Sequence, residues 1–493
     1  MAQTTTGRDG EAEDTSLPEA PPHRSATGRH VLLSPDEHAQ LGKAARAKVR
    51  RRDHAAFEVA SDRPDPISLL EEQAISRVPD LVPIRYGRML ASPFAFFRGA
   101  ALIMASDLAT TPRSGFDVQA CGDAHMSNFG VFATPERNLV FDVNDFDETL
   151  PGPWEWDLKR LCASLVIAGR GVGFTDAERR AVVIATVESY RTAMREFATM
   201  GNMAVWYAKF DIEQNLASLD ARLGAKGRQR LKDLLTKAKS KDSLKASNKL
   251  TTEVDGHLRF INDPPLIVPV EELAGPEEVH KLLTNLRAFV QSYSRSLVSD
   301  RRHLVDQFEF VHMARKVVGV GSVGTRAWVM LLVGKDNSDR LILQAKEAQA
   351  SVLERFTKKC VYANQGERVV AGQRLMQATS DIYLGWDRVT GLDGVARDFY
   401  VRQLWDWKGS VDVTMDALPS GTAVYGQTCA WTLARAHARS GDRIAIAAYL
   451  GNSATFAEAI ADFSELYADQ NERDYEALQH AVATGRVTAE TGV

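Results

Sequence analysis

The stretch Cys121 to Phe129, CGDAHMSNF, followed by Leu139 to Glu148, LVFDVNDFDE, decides the reading of this chain. Phosphoryl transfer from a nucleotide needs a carboxylate to orient the attacking hydroxyl, plus an amide oxygen and a second carboxylate to hold Mg²⁺ against the phosphates. Asp123, Asn128 and Asp145 supply those groups in that order. Asp and Asn are also common in turns, where their side chains cap local backbone groups. The constellation, rather than any one residue, therefore carries the chemistry. His125 reads as a brace for the loop that supports the catalytic Asp123, and Asp147 as a candidate second metal contact.

The D-x-x-x-x-N spacing from Asp123 to Asn128 resembles the protein-kinase catalytic loop, and Asp145-Phe146 resembles the D-F of D-F-G, with Asp147 in place of the glycine. The passage is more similar still to the aminoglycoside and choline phosphotransferases, whose loop reads H-G-D-x-H-x-x-N. Gly122, Asp123, His125 and Asn128 match that loop, and GPWEWDL at Gly152 to Leu158 resembles the segment that opens the next helix in that group. Across the whole chain, the run from RYGRMLASPFAFFRGAA through GVGSVGTR and LQAKEA resembles a widespread bacterial family of kinase-like proteins, the DUF2252 type. These resemblances imply an α+β, protein-kinase-like bilobal fold that uses ATP and Mg²⁺.

A kinase N-lobe normally precedes the catalytic loop, but the region between Leu102 and Cys121 is too short to hold one. It is expected afterwards instead. FEFVHMARKVVGVGSVGTRAWVMLLVG reads as strand, glycine-rich turn and strand, with Gly319, Gly321, Ser322 and Gly324 as candidate ATP-binding residues. A Rossmann use of G-x-G-x-x-G requires a helix directly after the glycines, whereas Ala327 to Val333 is apolar and strand-like. Lys346, in LILQAKEA, stands where a phosphate-pairing lysine belongs. Its carboxylate partner is Glu354 or Glu367, with Glu367 preferred because it opens a better helix. DIYLGWD and RDFYVRQLWDWKGSV read as two more strands, the second ending in hinge candidates Gln403, Leu404 and Trp405. Tyr425 to Ser440 resembles the helix that in small-molecule kinases runs into the catalytic loop. The expected order is a circular permutation, which is physically accessible because domain termini lie at the surface and often close together.

Composition agrees with a globular chain: 493 residues, 44% apolar and 25% charged, with net charge −4, which gives no reason to expect nucleic-acid binding. No long apolar run and no signal-peptide core is present, so a cytoplasmic location away from membranes is expected. The four cysteines have neither disulfide nor zinc spacing. Residues 1–34 are polar and expected to be disordered. Residues 35–305 are expected to form a helical C-lobe part with an insertion at 225–270, residues 306–410 the β-rich N-lobe, and 411–493 helices returning to the C-lobe. Arg85, Arg88 and Arg98 lie among aromatics, where they reach an anionic substrate or cover apolar neighbours with their stems.

The expected activity is transfer of the γ-phosphoryl group of ATP to a hydroxyl acceptor, a small molecule by resemblance. Nucleotidyl (AMP) transfer and a non-catalytic ATP-binding regulatory module are the alternatives. Fold analogy does not fix the acceptor, and the oligomeric state is open.

Overall fold

A computed structural model describes residues 33–239, 243–273, 275, 277, 288–317, 319–391, 393–404, 407, 409–410 and 418–492. The chain is α+β, with a helical body and a six-stranded antiparallel sheet. The first helix, Pro35–Lys48, starts where its sequence signals: the Ser34 side chain accepts the Glu37 N–H, and Glu37 reaches back to Ser34.

Trp154–Gly171 is buried around nearly its whole circumference, the pattern of a helix at the centre of a body. Asp176–Thr199, Pro419–Ser440 and Thr455–Ala483 pack around it. The second and third of these four approach closely at Gly426, where a Cβ would come within 2.3 Å of the Thr186 hydroxyl. The chain's first helix joins the same body through Gly42, which sits against the Ala445 carbonyl, and through His38, 2.6 Å from Asp442.

The large sheet runs in the order Gly385–Thr390, Ala396–Gln403, Arg340–Ala348, Ala327–Val333, Glu309–Lys316, Ile267–Pro269. AWVMLLV is continuously apolar because both faces of its strand are covered. Val329 and Leu331 point into one cluster with Leu250, Leu258 and Phe260, while Met330 and Leu332 point into another with Phe289 and Tyr293. Residues 250–261, expected as part of an insertion, thus supply cover for one sheet face. Their hairpin, Thr251–Val254 with His257–Phe260, turns at Asp255 and Gly256, both at positive φ, as the Asp-Gly pair predicts.

A smaller sheet carries Phe129–Ala133 against Leu139–Val143, with Phe129 opposite Val143. Asp117–Ala120 pairs with Leu150–Pro153, so residues 121–149 are gathered at their base. Cys121, Cys162 and Cys429 are buried free thiols. Among the described residues no single helix is long and apolar enough to cross a membrane.

His54 gives the helical body a pH dependence. It is fully buried, 2.6 Å from the Tyr449 hydroxyl, and burial, with the nearby Lys159 charge, pushes its pKa down from 6.5 to about 3. The unfolded chain therefore binds a proton that the folded chain refuses between those values, so stability falls as pH drops through 6.5. From pH 7 to pH 5 the wild type is expected to lose about 2 kcal/mol more than His54→Gln, at about 1.4 kcal/mol per unit. Urea unfolding at the two pH values measures this, and parallel losses in the two proteins would refute it.

Candidate active site

The loop begins at Gly122, held at φ 80 with its α-carbon so near Glu148 that a Cβ would lie 2.3 Å from that residue's carbonyl oxygen. Asp157, in the first turn of the central helix, accepts the N–H groups of Cys121 (2.6 Å) and Gly122 (2.9 Å). His437 Nε2 lies 3.1 Å from the same carboxylate, and His437 Nδ1 lies 2.8 Å from the Tyr190 hydroxyl. Further along, Ser164 accepts the Met126 N–H at 2.9 Å, and the Tyr425 hydroxyl donates to the Met126 carbonyl at 2.7 Å. Both Tyr425 and His437 belong to Pro419–Ser440, so that helix grips the 121–129 loop directly.

Asp123 stands on this frame with its side chain one-fifth exposed. Arg160 Nε donates to Asp123 Oδ1 at 2.5 Å, and Arg160 is itself fixed by the Phe97 carbonyl (3.0 Å) and ring. Burial raises the Asp123 pKa, against the pull of Arg160. His125 Nε2 is 3.8 Å from Asp123 Oδ2; burial, with Arg160 and Arg98, holds its pKa far below the usual range, so the imidazole is neutral.

Asn128 Nδ2 donates to the Asp123 carbonyl at 2.7 Å, leaving its Oδ1 as an acceptor. The hairpin register brings the next strand end beside it, and the Asn144 N–H donates to the Asn128 carbonyl at 3.0 Å. Asp145 follows, accepting the Asp147 N–H at 3.2 Å. Asp147 carries the densest set of contacts: Lys346 Nζ at 2.6 Å, the Tyr400 hydroxyl at 2.6 Å and the Ser322 hydroxyl at 3.2 Å.

These contacts separate the two carboxylates electrostatically. Burial would raise Asp147, but the Lys346 charge and the hydrogen bonds of Lys346 and Tyr400 outweigh it and hold its pKa below normal. Asp145 is pushed up, by burial and by the Asp147 charge. Lys346 is 2% exposed; burial disfavours its charge, yet Asp145 and Asp147 keep it firmly protonated.

Two cavities meet here. One of 960 Å³ is lined by Asp123, Asn128, Asp145 and Asp147 together with Gly321 and Ser322. The other, of 270 Å³, is lined by Asp145, Lys346, Gln344, Arg402, Gln403 and Leu404. Among the described residues no cluster of three or more His, Cys, Asp and Glu has a metal-holding arrangement. Mg²⁺ asks less, since it is commonly held by one or two carboxylates and completed by water and phosphate oxygens. Asn128 with Asp145 fits that sparse donor set.

A family model described as "Uncharacterized protein conserved in bacteria (DUF2252)" matches residues 77–481. The chain belongs to the DUF2252 family. No curated protein and no solved structure matches it. The DUF2252 region spans Asp123, Asp145, Asp147 and Lys346, and leaves the first helix outside.

In this DUF2252 protein the glycine-rich segment is a turn between two antiparallel strands, with Gly319 and Gly324 at positive φ. It is tied to the helices before the 121–129 loop: the Gly324 carbonyl accepts the Val78 N–H at 2.8 Å, Arg88 donates to the Gly319 carbonyl at 2.6 Å, and Arg77 donates to the Val323 carbonyl. The carboxylate on Lys346 is neither of the two expected. Asp147, read from the sequence as a metal contact, takes that place. Glu367 lies in the first turn of Gln365–Met376, and Glu354 in a short 3₁₀ turn where it accepts the Cys360 N–H at 3.2 Å. It is Arg368, beside Glu367, that turns inward, donating to the carbonyls of Asp147 (2.8 Å) and Thr149 (2.6 Å).

At the hinge candidates, the Gln403 N–H donates to Asp381 (2.5 Å) and the Leu404 N–H to the Ile342 carbonyl (2.9 Å), so these two donors are engaged within the protein. Trp405 lies outside the described residues. Arg160 and Tyr400 are site residues that sequence reasoning missed, and Asp157 was read only as part of the helix-opening segment GPWEWDL. The signal for Arg160 was its spacing from Asp157, i and i+3 on one helix face behind the 121–129 loop.

Proposed function

We propose that this protein transfers the γ-phosphoryl group of Mg-ATP to a hydroxyl on a small-molecule acceptor, using a protein-kinase-like bilobal fold in circularly permuted order. The observation that carries this reading is the contact of Lys346 with Asp147, 199 residues apart, in a cleft that also holds Asp123, Asn128 and Asp145. Such catalysis is mostly positioning and charge stabilisation, and those residues form the set it requires. Asp123, fixed by Arg160, would orient the acceptor hydroxyl and receive its proton. Asn128 and Asp145 would hold Mg²⁺, which when bound supplies the charge that neutralises the phosphates. Lys346, kept cationic by Asp147, contributes a fixed positive charge to the nucleotide side. The permuted order is supported by Pro419–Ser440, whose Tyr425 and His437 brace the loop that the matching helix precedes in the small-molecule kinases.

A ligand bound only by the folded state stabilises it by mass action. Mg-ATP at a hundredfold its dissociation constant should add about 2.7 kcal/mol, read as a higher melting temperature, and Lys346→Met should shrink that rise. An unchanged melting curve in millimolar Mg-ATP sinks the reading. With a metabolite panel as acceptors, label transferred from γ-labelled ATP marks phosphoryl transfer, and label from α-labelled ATP marks AMP transfer instead.

A further inference from the structure

The larger cavity has an unmet electrostatic demand on the wall formed by the helices before the catalytic loop. Arg85, from Val82–Met89, is 0% exposed and lines this cavity. Its Nη2 donates to Gln73 Oε1 (3.0 Å) and the Gly99 carbonyl (3.1 Å), while its Nε and Nη1 meet no acceptor among the described residues. The charged neighbour that acts on it most is another cation, Arg77. Arg77 is 7% exposed, donates to the Val323 carbonyl, and leaves its own Nε without an acceptor among the described residues.

Burying a guanidinium without a counter-charge is costly. Seven carboxylates line the same cavity, and four of them have a cation of their own: Asp123 has Arg160 at 2.5 Å, Asp147 has Lys346 at 2.6 Å, Glu347 has Arg326 at 3.2 Å and Glu72 has Arg355. Glu148, the charge that most favours Arg77, accepts the Val352 N–H at 2.7 Å and has its pKa pushed up to about 7 by burial, and no carboxylate is among the charges that act on Arg85. The cavity's 960 Å³ is ample for a small organic molecule that touches both this wall and Asp123.

We propose that Arg85 and Arg77 form an oxyanion subsite that takes a carboxylate or phosphate group of the acceptor, whose hydroxyl meets Asp123. Guanidinium groups suit both oxyanions because their donors are planar and permanently charged. The substrate class is thus an anionic hydroxyl compound. Assigning the anion to the acceptor rests on the phosphotransfer reading; the anion site itself does not.

The test titrates the full chain with inorganic phosphate and, separately, with malonate, by calorimetry and by melting temperature, with and without saturating Mg-adenylyl imidodiphosphate. The wild type should bind at least one of the two anions, and which one it prefers tells a phosphate from a carboxylate. Arg85→Met and Arg77→Met should each weaken that binding tenfold or more; if Arg85→Met does not fold, Arg77→Met decides. Anion and nucleotide analogue should bind together. Failure of both anions to bind, unchanged affinity in the folded variants, or displacement of the anion by the nucleotide analogue overturns the acceptor subsite. Arginine-dependent anion binding in a protein that ignores the nucleotide analogue would keep the anion site and discard the kinase reading.

Discussion

Asp123→Asn is expected to lower steady-state phosphoryl transfer by about 10²–10⁴-fold, the usual contribution of a positioned general base, while Mg-nucleotide affinity stays close to wild type. The asparagine keeps the shape of the side chain, but it cannot take the acceptor's proton and presents an amide to Arg160 in place of a carboxylate. Asp145→Asn should behave differently, weakening nucleotide binding and turnover together, because the role proposed for it runs through Mg²⁺. Nucleotide titrations on the two variants check the contrast. Equal losses of nucleotide binding would contradict the assignment of base and metal ligand.

Arg435→Met should cost about 3–5 kcal/mol of stability, the scale for removing one partner of a buried ion pair. Arg435 Nη2 lies 2.6 Å from both oxygens of Asp142, with side chains 1% and 2% exposed. Asp142 also accepts the N–H groups of Val143 and Ala378, each at 2.9 Å, and Arg435 donates to the Met376 carbonyl at 2.5 Å. The pair thus locks the strand leading to Asp145 against the ends of two helices. Asp142→Leu combined with Arg435→Met should recover part of the loss, since no lone charge is then left buried. Denaturant unfolding of the two single variants and the double variant measures the coupling. Single variants that lose less than about 1 kcal/mol, the worth of a surface pair, would remove the lock from the account of the fold.

The sequence made the local features legible because they are set by short-range physics. The Ser34 helix start, the Asp255-Gly256 turn and the loop from Gly122 to Asn128 each depend on residues within a few positions. Strand Ile267–Pro269 lies in a proline-flanked segment too short and irregular to mark a strand in the sequence, and its place at the sheet edge is where proline is tolerated. Periodicity identified buried helix faces but not which buried charge meets which. Asp157 with His437, Asp142 with Arg435 and Lys346 with Asp147 are all long-range pairs. The preference for Glu367 came from the position of a helix start, and the structure places Arg368, one residue further round that helix, toward the site.

The brace of Asp157 by His437 also has a consequence for synthesis. The two residues are 280 positions apart, and a ribosome adding about 5–20 residues per second delivers the histidine about 15–60 s after the aspartate. During that interval the Asp157 carboxylate and the loop it holds lack their partner helix, and the apolar faces of Trp154–Gly171 await Pro419–Ser440. The nascent chain must wait with its 121–129 loop unfinished, so its half-made helical body is a species exposed to aggregation and suited to chaperone protection.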